Sequence, residues 1–211
     1  MDKFFDSNNP VMRFLSRLVD LVILNLFTVL YSLPIITLGG ALTAMNYVLL
    51  HLVRKDETYV IQMFRKSFKQ NFRQGIPEGL IVLAAAGITA VDLLALRGSE
   101  SRTATLLMIV ITIIAVMIFT TCVYMFALQS RYENTVKGTM LNAVRLAIGN
   151  FPRSVLMAAS WLVWILVLVY LHRAALAFFL LYGFTLPGFL CALLYNKILE
   201  KLETKAEPLS E

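Results

Sequence analysis

Residues 54–73 read RKDETYVIQMFRKSFKQNFR, and this stretch decides how the rest of the chain is laid out. Val60, Phe64, Phe68 and Phe72 recur every fourth residue, which places them along one edge of a helix. Arg65, Lys66, Lys69 and Arg73 fall beside that edge, and Asn71 precedes its last phenylalanine. A basic amphipathic helix of this kind lies on a membrane surface or against a partner. The stretch holds six of the chain's 19 lysines and arginines and stands between two long apolar runs. The side of the membrane that receives it therefore sets the topology.

The apolar runs themselves give the class. The chain of 211 residues is 59% hydrophobic and 15% charged, with a mean hydropathy of +0.75. A soluble domain carries about 25% charged residues. The excess is gathered in runs near the ~20 residues that cross a bilayer core. The reading is an all-α, polytopic membrane helical bundle, with residues 1–211 as a single integral membrane domain. The net charge of +6 and pI near 9.4 would suggest nucleic acid in a soluble protein. Here they are the cationic excess of cytoplasmic loops, and no nucleic-acid recognition motif accompanies them. Cys122 and Cys191 both lie in apolar runs, where a thiol behaves as a small hydrophobe. The opening residues mix acids with bases and read as a retained cytoplasmic tail rather than a signal peptide.

Working outward, the first apolar block, about 14–53, is too long for one span. Pro34 and the Gly39-Gly40 pair break it into a hairpin, with arms over about 14–33 and 41–53. A re-entrant segment is the alternative for the short second arm. The hairpin also keeps the N-terminal cations and the 54–73 stretch on one side, as the positive-inside rule requires. Further spans follow over about 76–96, 104–128, 154–171 and 174–196. Six spans then leave all but Arg97, Arg102 and Arg173 of the 19 cations inside. Both termini are expected in the cytoplasm of a bacterial cell.

Residues 129–153 echo the opening stretch. Tyr132, Val136, Met140, Val144 and Ile148 form a second every-fourth-residue stripe. Asn71-Phe72 and Asn150-Phe151 close the two stripes, each soon followed by an arginine, Arg73 or Arg153. Lys66 and Arg145 stand five residues before the asparagines. These two amphipathic cytoplasmic helices suggest an internal repeat over 41–96 and 104–171. Their cations, asparagines and phenylalanines, Arg145, Asn150, Phe151 and Arg153 included, form the candidate docking surface for a partner or anionic lipid.

Three polar residues fall inside the first spans. Asp20 reads as an interfacial ion pair with Arg17, three residues earlier. Asn25 and Asn46, on opposite arms of the hairpin, read as an interhelical amide bond. Glu78, just after Pro77, reads as a carboxylate offsetting the dipole of a helix that starts there. Two histidines, His51 and His172, are too few and too far apart for a metal cluster. No phosphate loop, HExxH or Ser/His/Asp set is present, so the chain reads as non-enzymatic and without cofactor.

The segments MDKFFDSNNPVMRFLSRLVDLVILNL (1–26), LPIITLGGALTA (33–44), FRKSFKQNFRQG (64–75) and NKILEKL (196–202) resemble the YesL family. These are bacterial integral membrane proteins named as a domain of unknown function. The family's genes often stand beside those of carbohydrate ABC transporters, and the resemblance implies a part in sugar uptake. It carries no catalytic residues over. The expected role is an accessory or scaffold component meeting ABC permease subunits or the lipid bilayer. The alternative is a small transporter or channel whose path is lined by helix breaks at 34–40 and 187–188. Asn142-Ala143-Val144 with Gly149 only loosely resembles a permease coupling helix, lacking its acid.

Overall fold

Prolines decide where several helices of this chain stop, and they act unequally. The computed structural model describes residues 10–56, 59–98 and 101–206. Within these run α1 (Pro10–Ser32), α2 (Leu38–Arg54), α3 (Val60–Leu96), α4 (Arg102–Gln129), α5 (Val136–Gly149), α6 (Phe151–Tyr170), α7 (Ala175–Tyr182) and α8 (Thr185–Ala206). The tail cation Lys3 lies outside the described residues.

Pro34 biases Leu33 away from helical geometry and ends α1. A short 3-10 turn, Ile35–Thr37, then leads into α2. The Thr37 hydroxyl sits between the carbonyls of Tyr31 and Pro34 and closes this corner. Gly39 and Gly40, expected in the turn, instead belong to the first turn of α2. Pro152 stands at the start of α6, where its missing N–H is not needed, and so it separates α5 from α6. Pro77 behaves differently. It lies inside α3, which runs unbroken for 37 residues, roughly 55 Å at 1.5 Å per residue. The first amphipathic helix and the span expected from residue 76 are thus one element. A proline inside a membrane helix is tolerated where neighbours answer the freed backbone groups.

Among the described residues five helices, α2 taken with the 3-10 turn before it, are long and apolar enough to cross a membrane. Counting α7 and α8, which meet at 43°, as one bent span raises the number to six. This is a multi-pass helical membrane protein.

The core is built around α2, the arm that looked marginal in sequence. Ala41, Ala44, Met45, Val48 and Leu49 are all buried, and the helix touches α1, α3, α4 and α8. Its partner is mainly the front half of α3, running antiparallel after the turn at Lys55, which takes a positive φ of 64°. An ideal Cβ on Gly39 would stand 2.0 Å from the Gly75 carbonyl oxygen, and one on Gly75 would stand 2.4 Å from Gly40 N. Only glycine lets the two backbones meet this closely, as small residues do at membrane helix interfaces. Beyond that contact the back half of α3 leaves α2 and runs beside α4. The two segments proposed as a repeat differ in build: α3 joins its amphipathic part to the span, whereas α5 and α6 are separate.

Candidate functional site

The apolar edge of the opening stretch is occupied by the chain itself. Val60 and Phe64 are buried. Phe64 meets Phe27 and Tyr31 of α1 edge-on, with ring centroids 5.9 and 5.3 Å apart. Phe68 packs on Tyr31 at 4.8 Å and on Phe72 at 5.5 Å. Phe68 therefore packs inward against α1, while Phe72 is half-buried beside it. Asn71 donates to its own helix, at the Ser67 carbonyl. What remains outside is charge: Arg65, Lys66, Lys69 and Arg73 are all exposed, with Arg65 lying 5.7 Å above the Phe27 ring.

The second amphipathic helix packs by a different face from the one its stripe marks. Thr139, Ala143 and Ala147 of α5 are buried, while Met140 and Ile148 of the stripe are 40% and 60% exposed. Small side chains bring α5 close to α4, so the larger apolar ones turn outward with Phe151. Thr135 caps α5 by accepting from Gly138 N at 3.2 Å. Asn150 donates back to Leu146 O at 3.2 Å. Arg145 is exposed, and Arg153 joins Asn150, Lys197 and Lys201 along a groove against α8.

At one end of the bundle a carboxylate ties three segments together. Glu203 Oε1 accepts from Arg54 Nη2 at 3.2 Å and from Arg131 Nε at 3.0 Å. Arg54 Nε also donates to Asn196 Oδ1 at 2.8 Å, and Asn196 to Glu200 at 2.7 Å. Glu203 stands past the apolar part of α8. Burial opposes its ionisation, but the Arg54 hydrogen bond and the charges of Arg131 and Arg54 outweigh that and hold its carboxyl below its ordinary value. Burial, then the Glu203 charge, push the neighbouring Tyr132 phenol up. A carboxyl whose folded value is depressed contributes stability above its ordinary value of 4.5 and loses it as pH falls through the folded value. Glu203→Gln is therefore expected to lower the thermal midpoint at neutral pH and to flatten its fall in acid. An unchanged acid profile in the variant would contradict this role.

A second carboxylate is buried deeper. Glu78 has no exposed surface, and it sits mid-helix, not at a helix start as expected, because α3 passes straight through Pro77. The Gln129 amide, turned with its nitrogen toward Glu78, donates to the carboxylate. Gln74 stands 3.5 Å away and donates to Asn134 O at 2.8 Å. This contact joins the middle of α3 to the end of α4.

The two intramembrane asparagines find partners other than the one expected. Asn25 and Asn46 do not bond each other. Asn25 bridges the break between α7 and α8: its Nδ2 donates to Phe179 O and Leu180 O, and its Oδ1 accepts from Phe184 N and Thr185 N. Asn46 accepts from the Tyr195 hydroxyl at 2.7 Å and donates to Leu42 O. Asp20 lines a shallow groove with Arg17, Lys55 and Asp56, and neither of the two ion pairs among the described residues is Asp20 with Arg17. Sequence reading overlooked Gln129, Tyr195 and Glu203, although Gln129 and Tyr195 are polar groups set at the end of an apolar run.

Between α2, α3, α4, α6 and α8 lies an apolar cavity of about 500 Å³. Its wall on α3 is small, Ala85, Ala86, Thr89 and Ala90, and faces Ala115, Phe119 and Cys122 of α4. Gly188 reaches this cavity, but residues 34–40 do not, so the two helix breaks do not share one path. The second break itself falls at Gly183-Phe184, just before Pro187-Gly188, which lie in the first turn of α8. Among the described residues no group of His, Cys, Asp and Glu could hold a metal.

Helix length, composition and this interior define a multi-pass membrane protein with a tightly knit α1–α2–α3 unit. That unit is where the chain has known counterparts. Residues 21–93 match the family described as "Protein of unknown function, DUF624", which is the YesL-like family. No curated protein and no solved structure matches. The matched part contains Asn25, the Gly39–Gly75 contact, the basic face and Glu78.

Proposed function

We propose that this chain is a non-enzymatic accessory membrane protein that docks through the basic face of α3, in association with carbohydrate ABC import. The observation that carries the reading is the division of labour on the front half of α3. Phe64 and Phe68 of its aromatic edge pack inside the protein, while Arg65, Lys66, Lys69 and Arg73 stay exposed. What this face offers a partner is charge, at about 1 kcal/mol per cation beside an anionic surface. An acidic cytoplasmic surface of a permease subunit, or anionic headgroups, would complement it. The link to sugar import rests on the YesL resemblance and the neighbourhood it implies. With this face in the cytoplasm, both ends of the chain also lie there, in a bacterial plasma membrane. Helix α2, which runs beside this half of α3 as far as the Gly39–Gly75 contact, sits at the cytoplasmic side with it rather than crossing.

Co-purification in mild detergent with a sugar-importer permease tests the partnership. Lys66→Glu with Lys69→Glu is expected to abolish recovery of the permease while leaving the thermal midpoint in place, since both side chains are exposed. Wild-type chain recovered alone, and carrying sugar across proteoliposomes by itself, would overturn the accessory role. A cysteine at position 66 that labels from outside intact cells would overturn the orientation.

A further inference from the structure

The cavity between α3 and α4 is the feature that docking leaves unexplained. It goes beyond the docking role and does not depend on it. Its volume, about 500 Å³, falls within the roughly 300–1,000 Å³ of small-molecule sites. It exists because the back half of α3 presents alanines where α4 would need bulk to pack. The Glu78–Gln129 contact holds the two helices together one turn below, next to Val82 and Phe126 of the cavity wall.

The chemistry of the wall selects the occupant. Its polar side chains are already engaged: Asn46 with Tyr195 and Leu42, Thr89 with Ala85 O at 2.8 Å. Trp161 Nε1 is the one donor of the wall found buried without a partner. A sugar would bring several hydroxyl groups into a space that answers almost none of them, at a cost for each. Water is excluded on the same ground, as apolar cavities stay dry or take apolar ligands.

The surroundings select the source. Ala86 and Ala90 at the rim are exposed, so the cavity is open along part of its wall. The outward residues beside it, Ile88 and Val91 of α3 and Ile113 and Ile114 of α4, are more than half exposed and apolar. They belong to two of the candidate membrane spans, whose outer medium is lipid hydrocarbon. We propose that the cavity is a lateral binding site for one acyl chain of a bilayer lipid, which enters between α3 and α4 and supplies the packing that their alanines lack.

The chain has two tryptophans, Trp161 and Trp164, so Trp164→Phe leaves Trp161 in the wall as sole reporter. The full chain would be reconstituted in phosphatidylcholine vesicles with acyl chains brominated at mid-length, bromine being a contact quencher. Trp161 emission is expected to fall by at least half relative to unbrominated vesicles. Ala85→Phe, filling the cavity from α3, is expected to restore most of it. Ala115→Phe does the same from α4 should the first variant not fold. Emission that is unquenched in the parent, or quenched equally in the filled variants, would overturn the site. Quenching by free brominated stearate, with none by the phospholipid, would overturn the bilayer lipid as its source.

Discussion

Asn25→Leu is expected to cost this protein about 2–6 kcal/mol, from two backbone donors left unanswered at about 1–3 kcal/mol each. Asn25 is fully buried. Its oxygen takes the N–H groups of Phe184 and Thr185 at 2.8 and 3.2 Å, at the start of α8. These are groups that a helix start leaves without an intrahelical partner. Its nitrogen serves the carbonyls of Phe179 and Leu180 at 2.9 and 2.8 Å, at the end of α7. Side-chain hydrogen bonds between membrane helices average only about 0.6 kcal/mol. That figure reflects partners that can be replaced. Here the partners are main-chain groups fixed at a 43° bend, with no water to take over, so the larger penalty decides. Set against a total stability of about 5–15 kcal/mol, the loss is severe. Thermal unfolding followed by size-exclusion chromatography in detergent would measure it. Asn71→Leu serves as the contrast, since Asn71 bonds only within its own helix. Equal midpoints for the two variants would refute the bridging role.

Gly75→Ala is the second large effect. The added Cβ would lie 2.4 Å from Gly40 N and 2.7 Å from Gly40 Cα. Both are backbone atoms of the central helix and cannot swing aside. Relief requires α2 and α3 to separate, against a core in which α2 already touches four helices. Overpacking typically costs about 1–3 kcal/mol, and a backbone clash belongs at or above the top of that range. Gly87 lies in the same helix with nothing within 4 Å of its would-be Cβ. Gly87→Ala should therefore stabilise slightly, by about 0.4–1 kcal/mol. The two alanine variants are expected to move the midpoint in opposite directions. A Gly75→Ala protein as stable as wild type would mean that these helices are farther apart.

The number of spans was legible to within one, because a bilayer demands apolar runs of about fixed length, whatever they pack against. Their ends were not, since α3 runs through Pro77 from the amphipathic stretch. Pairing was not. The periodicity of Val60, Phe64, Phe68 and Phe72 says that a helix has a side, and it cannot say that Tyr31 of the same chain meets it. In α5 the stripe of largest residues was visible, but the smaller Thr139, Ala143 and Ala147 form the contact, because close approach in a membrane favours small side chains. Pro77 and Pro152 look alike in sequence, each a few residues after a basic amphipathic stretch. One lies inside α3 while the other starts α6, and neighbours distant in sequence make that difference. Asn25 and Asn46 were recognisable as polar groups needing partners; that those partners lie about 150 residues away was not.

Those long separations bear on how the chain is made. Asn25 is answered by residues 179–185, Asn46 by Tyr195, Arg54 by Asn196 and Glu203, and Arg131 again by Glu203. During synthesis, α1 and α2 leave the ribosome long before any of these groups exists. The first hairpin is made with Asn25, the Asn46 oxygen and Arg54 still lacking these partners, and the α7–α8 segment follows to supply them. The contacts that tie α1 and α2 to the rest of the bundle through these side chains therefore form only once α8 has been made.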